Sequence, residues 1–202
     1  MRTRTEESRL LVSRIAALIV CTVIALSRSY WEEADEVVAF LLFLLGMVFV
    51  GIASLGRMWC SLYIAGFKDK RLITEGPYSV CRNPLYLFSL IGFVGLGLTT
   101  ETFTIPIVLF LMFTIYYPFV INAEELRLSQ LFGSDFERYR HEVPRILPRI
   151  RLFSEPEVYS VNPRTYKRHM FSALWFVWIA GIFEVFEGLG EIGILPIKWV
   201  LY

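Results

Sequence analysis

Residues 37–64 read VVAFLLFLLGMVFVGIASLGRMWCSLYI. This run is longer than the about 20 largely apolar residues that a helix needs to cross the hydrocarbon core of a bilayer. Its one charged residue, Arg57, stands near its end. Four further apolar runs lie at residues 10–26, 85–98, 103–121 and 170–189. The sequence therefore predicts an all-α integral membrane protein with about five transmembrane helices.

The composition excludes several other classes of protein. Of the 202 residues, 55% are hydrophobic and 16% are aromatic, and the formal net charge is +1. Disordered chains have low hydrophobicity and nucleic-acid-binding chains carry a basic excess, so we exclude both classes and expect no nucleic-acid partner. The three cysteines show no CxxC spacing, and the two histidines show no HxxxH or HExxH spacing. We therefore expect no disulfide framework and no metal site.

The distribution of basic residues predicts how the helices are oriented. Basic residues precede the first run and follow the second and the fourth, whereas the connection at residues 32–36 is acidic. Because cytoplasmic connections carry an excess of Lys and Arg, this alternation places the N-terminus in the cytoplasm and the C-terminus outside. The two large connections, residues 65–84 and 122–169, then share the cytoplasmic side. We expect the active site to be built from these two segments.

The first and last apolar runs allow more than one interpretation. Residues 10–26 follow a basic start as a signal peptide does, but no small-residue cleavage site comes after them, so an uncleaved helix is the working interpretation. Residues 170–189 become acidic at Glu184 and Glu187, so this run either spans the membrane or lies at its surface. The chain divides into N-terminal membrane helices, a core and a C-terminal extension, at residues 1–66, 67–150 and 151–202.

The first large connection contains a helix start. Residues 82–84 read Arg-Asn-Pro. Asn is a good N-cap, and Pro fits the first helical position, where no N–H is required. The free N–H groups of such a helix, together with the guanidinium of Arg82, would hold a carboxylate, and Tyr78 and Tyr86 would line an aromatic pocket. The alternative is structural: a proline-started helix with an interfacial belt of arginine and tyrosine.

The second large connection opens with a pair of carboxylates. Glu124 and Glu125 stand at the end of the fourth apolar run. A carboxylate pair at a membrane boundary is costly unless it faces protein or water, so it indicates a functional site. The apolar residues that follow recur at helical spacing and are expected to pack against the membrane bundle; they are Leu128, Leu131, Phe132, Phe136 and Tyr139.

Turn signals interrupt this second connection. Gly133 predicts the end of one helix, and Ser134 with Glu137 predicts a capping box that opens the next. The residues before Pro144 and Pro148 favour extended chain, because a residue that precedes proline avoids the helical region. The connection is therefore expected to contain a short helix and then a proline-rich return.

Together the two segments resemble the isoprenylcysteine carboxyl methyltransferase family, within the wider group of membrane methyltransferases that includes phospholipid N-methyltransferases. The family pattern is a GPY turn, an Arg-His-Pro-x-Tyr helix start, a Glu-Glu pair that ends the next helix, a Phe-Gly, a Tyr and a proline-rich end. In this chain the corresponding residues are Gly76-Pro77-Tyr78, Arg82-Asn83-Pro84-Leu85-Tyr86, Glu124-Glu125, Phe132-Gly133, Tyr139 and Val143-Pro144-Arg145. The resemblance covers about residues 50–150. Asn83 replaces the family His, and it does not titrate near neutral pH as His does.

The resemblance implies that the protein binds S-adenosylmethionine between helix ends and transfers its methyl group to an acceptor. It implies Arg82 and Glu125 as catalytic residues. It implies cofactor contacts from Gly76, Pro77, Tyr78, Asn83, Pro84, Tyr86, Glu124, Tyr139, Arg145 and Pro148. The acceptor would be lipophilic, with the carboxylate of a prenylated cysteine as the first candidate. A lipid amine or a small thiol is the alternative, in which case Glu124 or Glu125 would have to remove a proton.

Two other classes of protein compete with this interpretation. A membrane reductase would bind a dinucleotide, but it needs more helices than 202 residues supply. A scaffold has no need for the combination of Arg82, Tyr86 and the carboxylate pair. Membrane lipid is the other expected partner, the oligomeric state stays open, and the extension is expected to act as a lid, an oligomer contact or a substrate gate. Close helix approach is predicted at the glycines of the second and third runs, Gly46, Gly51, Gly56, Gly92, Gly95 and Gly97.

Overall fold

The computed structural model describes residue 15, residues 18–67 and residues 69–202. The described residues do not include most of the start of the first predicted span, the basic residues that precede it, or Lys68. Of that predicted span, residues 18–25 are helical. A 3-10 turn at Ile150–Leu152 precedes the last two helices. From residue 27 onward the helices and strands are β1 Ser27–Ser29, α1 Trp31–Ala34, α2 Glu36–Ile64, α3 Pro77–Val80, α4 Pro84–Leu98, α5 Thr104–Phe132, α6 Ser134–Glu142, α7 Pro163–Ala173, α8 Trp175–Glu191 and β2 Trp199–Leu201.

Three stretches are long and apolar enough to cross a membrane. They are α2 and α5, of 29 residues each, and α7 with α8, which together occupy Pro163–Glu191. This confirms the predicted all-α membrane architecture. α4 has 15 residues and is about 22 Å long, which is less than the roughly 30 Å of a hydrocarbon core. All α4 residues are buried or half-buried, so its neighbours enclose it.

Two of the predicted helix limits are wrong. The fourth predicted span ends at residue 121, but α5 continues to Phe132, so Glu124 and Glu125 lie inside the helix. The apolar run stops at residue 121, whereas the Ala, Glu, Leu and Arg residues that follow are good helix formers, so the helix extends beyond the apolar layer. The last predicted span is part of a longer helical stretch that is interrupted at Leu174, between α7 and α8.

α4 packs closely against α2, and glycines permit this contact. A Cβ on Gly46 would lie 2.6 Å from the backbone nitrogen of Thr99 and 2.8 Å from the carbonyl oxygen of Gly95, so no side chain fits there. Gly51 faces open space, so the prediction of close approach is wrong for that residue. α8 completes the bundle, and the main hydrophobic core contains Val50, Ala53, Leu96, Phe176, Ala180 and Phe183.

Two three-residue strands cover the turn between α4 and α5. β1 and β2 pair in parallel, with Ser27 opposite Trp199 and Ser29 opposite Leu201. The side-chain hydroxyl of Ser29 donates a 2.7 Å hydrogen bond to the carbonyl of Glu101 in that turn. These strands were not predicted from the sequence, because three residues are too few to show the alternation of apolar and polar residues that is typical of a strand.

Carboxylates gather at the same end of the bundle. Glu32, Glu101 and Glu187 have carboxylate oxygens within 4.8 Å of one another, and Arg28 pairs with Glu32 at 2.9 Å. Burial raises the pKa of Glu101, and nearby glutamates raise it further. A carboxyl group whose pKa is raised in the folded state contributes stability at low pH that is lost as the pH rises through that pKa.

The contact at Gly46 predicts an asymmetric effect of two similar substitutions in α2. We expect Gly46→Ala to destabilise the protein by about 1–3 kcal/mol, because the backbone of α4 would have to move. Gly51→Ala is the matched control, and we expect it to be neutral or stabilising by up to about 1 kcal/mol, because Ala is the better helix former. Thermal unfolding of both variants in detergent checks this, and equal melting temperatures would contradict it.

The carboxylates at the covered turn predict a pH effect. We expect Glu101→Gln to raise the apparent melting temperature at pH 8 by about 1–3 °C, because it removes the repulsion between the Glu101 carboxylate and the nearby glutamates. Solvent screening keeps this repulsion below roughly 1 kcal/mol, so the change in melting temperature is small. At pH 4 we expect no difference, because the carboxyl group of the unsubstituted protein is then protonated. Glu157→Gln, at an exposed position, is the control. A lower melting temperature for Glu101→Gln at pH 8 would show that the carboxylate is stabilising.

Candidate active site

The two large connections meet at the end of the bundle where α4 begins. The backbone N–H of Arg82 donates to the carbonyl of Pro144 at 2.8 Å, and that of Arg149 donates to the carbonyl of Val80 at 2.9 Å. A third bond runs from the N–H of Gly76 to the carbonyl of Ser154 at 2.8 Å. These bonds tie residues 76–82 to residues 144–154. The two segments therefore meet, and that they form one active site stays a prediction.

The GPY turn depends on its glycine. Gly76 has a φ of +58°, which favours glycine, and a Cβ there would lie 2.3 Å from the ring of Tyr63. Pro77 follows at the first position of α3, and the hydroxyl of Ser79 donates to the carbonyl of Gly76 at 2.7 Å. This turn therefore fixes the backbone that leads to Arg82.

Arg82 and Glu125 form an enclosed ion pair. Their side chains are only 10% and 12% exposed, and Nε of Arg82 donates to Oε1 of Glu125 at 3.1 Å. Nη1 of Arg82 donates to the carbonyls of Arg140 and Val143, each at 2.7 Å. Enclosed charges are stable only when they are paired and hydrogen-bonded, and this pair meets both conditions. Among the described residues, no acceptor takes a hydrogen bond from Nη2, which leaves that nitrogen for a ligand.

Asn83 occupies the predicted N-cap position of α4, but its side chain does not cap the helix. Its amide instead donates to Oε1 of Glu125 at 2.9 Å and to the carbonyl of Arg145 at 3.1 Å. The prediction of a side-chain cap is therefore wrong. The physical reason is competition: an ionised carboxylate and a carbonyl are available across the site, and both are acceptors for the amide N–H groups.

The predicted capping box of α6 is also wrong in its details. α6 begins at Ser134 as expected, but Gly133 is its N-cap and no side chain caps it. The carboxylate of Glu137 accepts a 2.9 Å hydrogen bond from the hydroxyl of Ser129 on α5, so it is turned away from its own helix start. The break itself is confirmed, since Gly133 has a φ of +52°.

Glu124 and Tyr86 form a second polar pair. The Tyr86 hydroxyl donates to Oε2 of Glu124 at 2.6 Å. Oε1 of Glu124 lies 3.8 Å from Arg127, too far for a hydrogen bond, and the Glu124 side chain is 32% exposed. The ring of Tyr117 packs edge-on against Tyr86, with 5.4 Å between centroids. The two adjacent glutamates thus differ in exposure and in the number of hydrogen bonds: the Glu125 side chain is 12% exposed and accepts from Arg82 and Asn83, whereas the Glu124 side chain is 32% exposed and accepts from Tyr86 alone.

Arg145 reaches the same cluster from the proline-rich return. Its Nη2 donates to the side-chain oxygen of Asn122. Its Nε lies 3.6 Å from Oε2 of Glu125, which is an ion-pair distance. That Nε is buried and has no hydrogen-bond partner among the described residues. A buried donor without a partner is costly, so this position is suited to an acceptor from a ligand.

Tyr139 borders this cluster without a hydrogen bond to it, and Pro148 lies at the surface. The Tyr139 hydroxyl donates to the carbonyl of Tyr78 at 2.7 Å, and its ring packs with Phe136 and Val143. Burial raises the pKa of Tyr139, so the phenol stays protonated and remains a donor. A pocket of about 470 Å³ borders Tyr139 but none of the other predicted site residues. Pro148 is exposed.

Comparison with known proteins identifies the family of the chain. Residues 34–135 match the family described as phospholipid methyltransferase. The chain belongs to the phospholipid methyltransferase family. The match includes α2, α4 and α5, and it covers the Arg82–Glu125 pair and the Glu124–Tyr86 pair.

Individual members named in other organisms are also similar to the chain. The cobalt-zinc-cadmium resistance protein CzcN of Cupriavidus metallidurans is 35% identical over 187 residues, which are 93% of this chain and 85% of that protein. The nickel-cobalt-cadmium resistance protein NccN of Alcaligenes xylosoxydans xylosoxydans is 35% identical over 179 residues, 89% of this chain and 83% of that protein. Protein-S-isoprenylcysteine O-methyltransferase of Schizosaccharomyces pombe is 31% identical over 83 residues, 41% of this chain and 35% of that protein. No solved structure matches the chain.

Two residues of the cluster, Asn122 and Tyr117, were not predicted from the sequence. Tyr117 stands seven residues before Glu124 and therefore shares its helix face. Extending the helical period backwards from the carboxylate pair would have identified it. Asn122 gives no such signal, because its contact with Arg145 depends on the path of the proline-rich return.

The position of Asn83 predicts the effect of a carboxylate in its place. In Asn83→Asp, a second carboxylate would lie within hydrogen-bond distance of Glu125, and two donated hydrogen bonds would be lost. We expect destabilisation of about 2–4 kcal/mol at pH 8 and less at pH 5, where a protonated aspartate donates. Asn83→Ala is the control and should cost about 1–3 kcal/mol with no such dependence on pH. Chemical unfolding at both pH values measures this, and an Asn83→Asp variant that is as stable as the unsubstituted protein at pH 8 would refute it.

Proposed function

We propose that this integral membrane protein transfers a methyl group from S-adenosylmethionine to a lipophilic acceptor, with the carboxylate of a prenylated cysteine or a similar compound as the first candidate. The observation that carries the proposal is the different state of the two adjacent glutamates. Glu125 is 12% exposed and is held by Arg82 and Asn83, whereas Glu124 is 32% exposed and accepts a hydrogen bond from Tyr86 through one oxygen. This arrangement lies inside the region that matches the phospholipid methyltransferase family.

The residues present fit the chemistry of S-adenosylmethionine. That molecule carries a carboxylate, an ammonium group and a sulfonium cation. Arg145, whose buried Nε is 3.6 Å from Glu125 and has no hydrogen-bond partner in the described part of the chain, would hold the carboxylate. Glu124 would hold the ammonium group, and the rings of Tyr86 and Tyr117 would face the cation. Nη2 of Arg82 is the further donor.

The chain's own residues would act by positioning and by proton transfer. S-Adenosylmethionine, when bound, supplies an electrophilic methyl group that a lone pair of the acceptor takes as the carbon–sulfur bond breaks. A carboxylate acceptor needs no base, and the site then contributes orientation and exclusion of water. An amine or thiol acceptor has to lose a proton, and Glu124 is the candidate base, because Glu125 is held by Arg82 and Asn83.

Arg82 and Glu125 therefore become positioning residues in this proposal. Through the carbonyls of Arg140 and Val143, Arg82 holds the proline-rich return against α4. Loss of either partner would leave a charge enclosed without its counter-ion. We expect Arg82→Ala and Glu125→Ala to lose methyl transfer, and we expect both to lower stability as well.

Basic residues support a cytoplasmic location for the site. α6 and the return that follows it carry Arg138, Arg140, Arg145, Arg149 and Arg151, and they lie at the same end of the bundle as the cluster. By the positive-inside rule this end faces the cytoplasm. The N-terminus would share that side. The resistance to metal ions for which two relatives are named describes a process, whereas our proposal describes a reaction.

The sharpest test of the proposal is Glu124→Gln, because it removes a charge and leaves an oxygen that can accept from Tyr86. We expect saturable binding of S-adenosylmethionine to the purified full-length protein, weakened at least about tenfold in Glu124→Gln, the loss expected for one charge-assisted hydrogen bond. Isothermal titration calorimetry in detergent measures both affinities, and Glu157→Gln is the matched control. Absence of binding to folded, unsubstituted protein would refute the proposal, and binding of NADPH in its place would favour the reductase alternative.

A further inference from the structure

Arg57 is a cation within the membrane-spanning part of α2. It lies about two helical turns before the end of that helix, and it is half-buried. Its Nη1 donates a hydrogen bond to the hydroxyl of Ser89 on α4. The guanidinium carbon lies 5.6 Å from the centroid of the Phe176 ring on α8. Three different helices therefore surround this charge.

No carboxylate balances Arg57 within the described residues. None of the ion pairs formed by those residues includes Arg57, in contrast to Arg82, which is paired with Glu125 at 3.1 Å. The titratable groups that interact with it are Tyr117, Cys60 and Tyr78, which are neutral at pH 7. Its Nε is buried and has no hydrogen-bond partner in that part of the chain. A lone cation inside a membrane segment is costly, and such residues mark functional positions.

Arg57 borders the candidate active site from the membrane side. Ser89 stands three residues after Tyr86 on α4, so both share one face of that helix. Tyr117 interacts electrostatically with Arg57 and packs against Tyr86, whose hydroxyl bonds to Glu124. Tyr117 and the α4 face of Ser89 and Tyr86 therefore connect the surroundings of Arg57 with the polar cluster. Along α4, Ser89 is about 4.5 Å deeper in the bundle than Tyr86, at 1.5 Å per residue.

We infer that Arg57, with Ser89, binds the oxyanion of an amphiphile whose tail lies in the bilayer. Nε, which has no hydrogen-bond partner in the described part of the chain, and Nη2 lie on one edge of the guanidinium, and this edge is a two-donor fork that matches a carboxylate or phosphate, while Nη1 is held by Ser89. The claim that this amphiphile is the methyl acceptor rests on the proposed function. A carboxylate could also come from S-adenosylmethionine itself. The position of Arg57 among apolar membrane residues favours the amphiphile, and Arg145 already offers a free donor on the loop side.

The test uses full-length protein in nanodiscs of phosphatidylcholine, with oleate as the anionic probe and oleamide as its neutral match. At pH 8 we expect saturable oleate binding, above that of empty nanodiscs, that is at least about tenfold tighter than oleamide binding, which corresponds to about 1.4 kcal/mol. In Arg57→Gln we expect that difference to disappear. Arg57→Lys should keep part of it, and Arg164→Gln, at an exposed arginine, should bind oleate as the unsubstituted protein does.

Three results would overturn the inference. Equal binding of oleate and oleamide to the unsubstituted protein would overturn it without the need for a variant. If Arg57→Gln does not fold, Ser89→Ala is the second variant that tests the site. Unchanged oleate binding in folded Arg57→Gln would exclude Arg57 from the site. If Arg57→Gln loses binding of S-adenosylhomocysteine but binds oleate as before, Arg57 belongs to the cofactor site. If S-adenosylmethionine does not bind at all but oleate binding requires Arg57, the anion site stands and the proposed methyl transfer falls.

Discussion

An enclosed carboxylate needs donors around it, and the arrangement of this protein around Glu125 follows from that requirement. Arg82 and Asn83 supply those donors from the start of α4. The same two side chains also donate to carbonyls of Arg140, Val143 and Arg145. One carboxylate on α5 therefore fixes both the beginning of α4 and the path of the proline-rich return. The loops at this end are held by charge and hydrogen bonds, whereas the helices are held by apolar packing.

This division explains why two adjacent glutamates have different roles. Successive residues on a helix point in directions about 100° apart, so Glu124 and Glu125 cannot face the same neighbours. Glu125 faces Arg82 and is nearly closed off from solvent. Glu124 faces Tyr86 and remains accessible. An enclosed carboxylate that joins the loops and a more accessible one are thus obtained from consecutive positions.

The sequence predicted the membrane class, the helix α4 with its proline start, and the meeting of two connections, because apolar length and helix-start residues are local signals. It did not predict what the side chain of Asn83 does, since a local cap and a distant carboxylate compete and only the tertiary structure decides between them. The extent of α5 beyond residue 121 was missed for a related reason: apolar length marks the membrane and does not mark the helix. The roles of Asn122 and of the two short strands depend on contacts between distant parts of the chain, which spacing along the sequence does not contain.

α4 is short, and none of its residues is fully exposed. Its 15 residues extend over about 22 Å, and all of them are buried or half-buried. Hydrophobic mismatch between helix length and bilayer thickness acts on helices that face acyl chains. It therefore acts mainly on α2 and α5, which have many exposed apolar residues. α4 runs from the cluster around Glu125 to the turn covered by β1 and β2, so this inner helix spans the separation between those two ends. We expect a change in bilayer thickness to act on the tilt of the outer helices before it acts on α4.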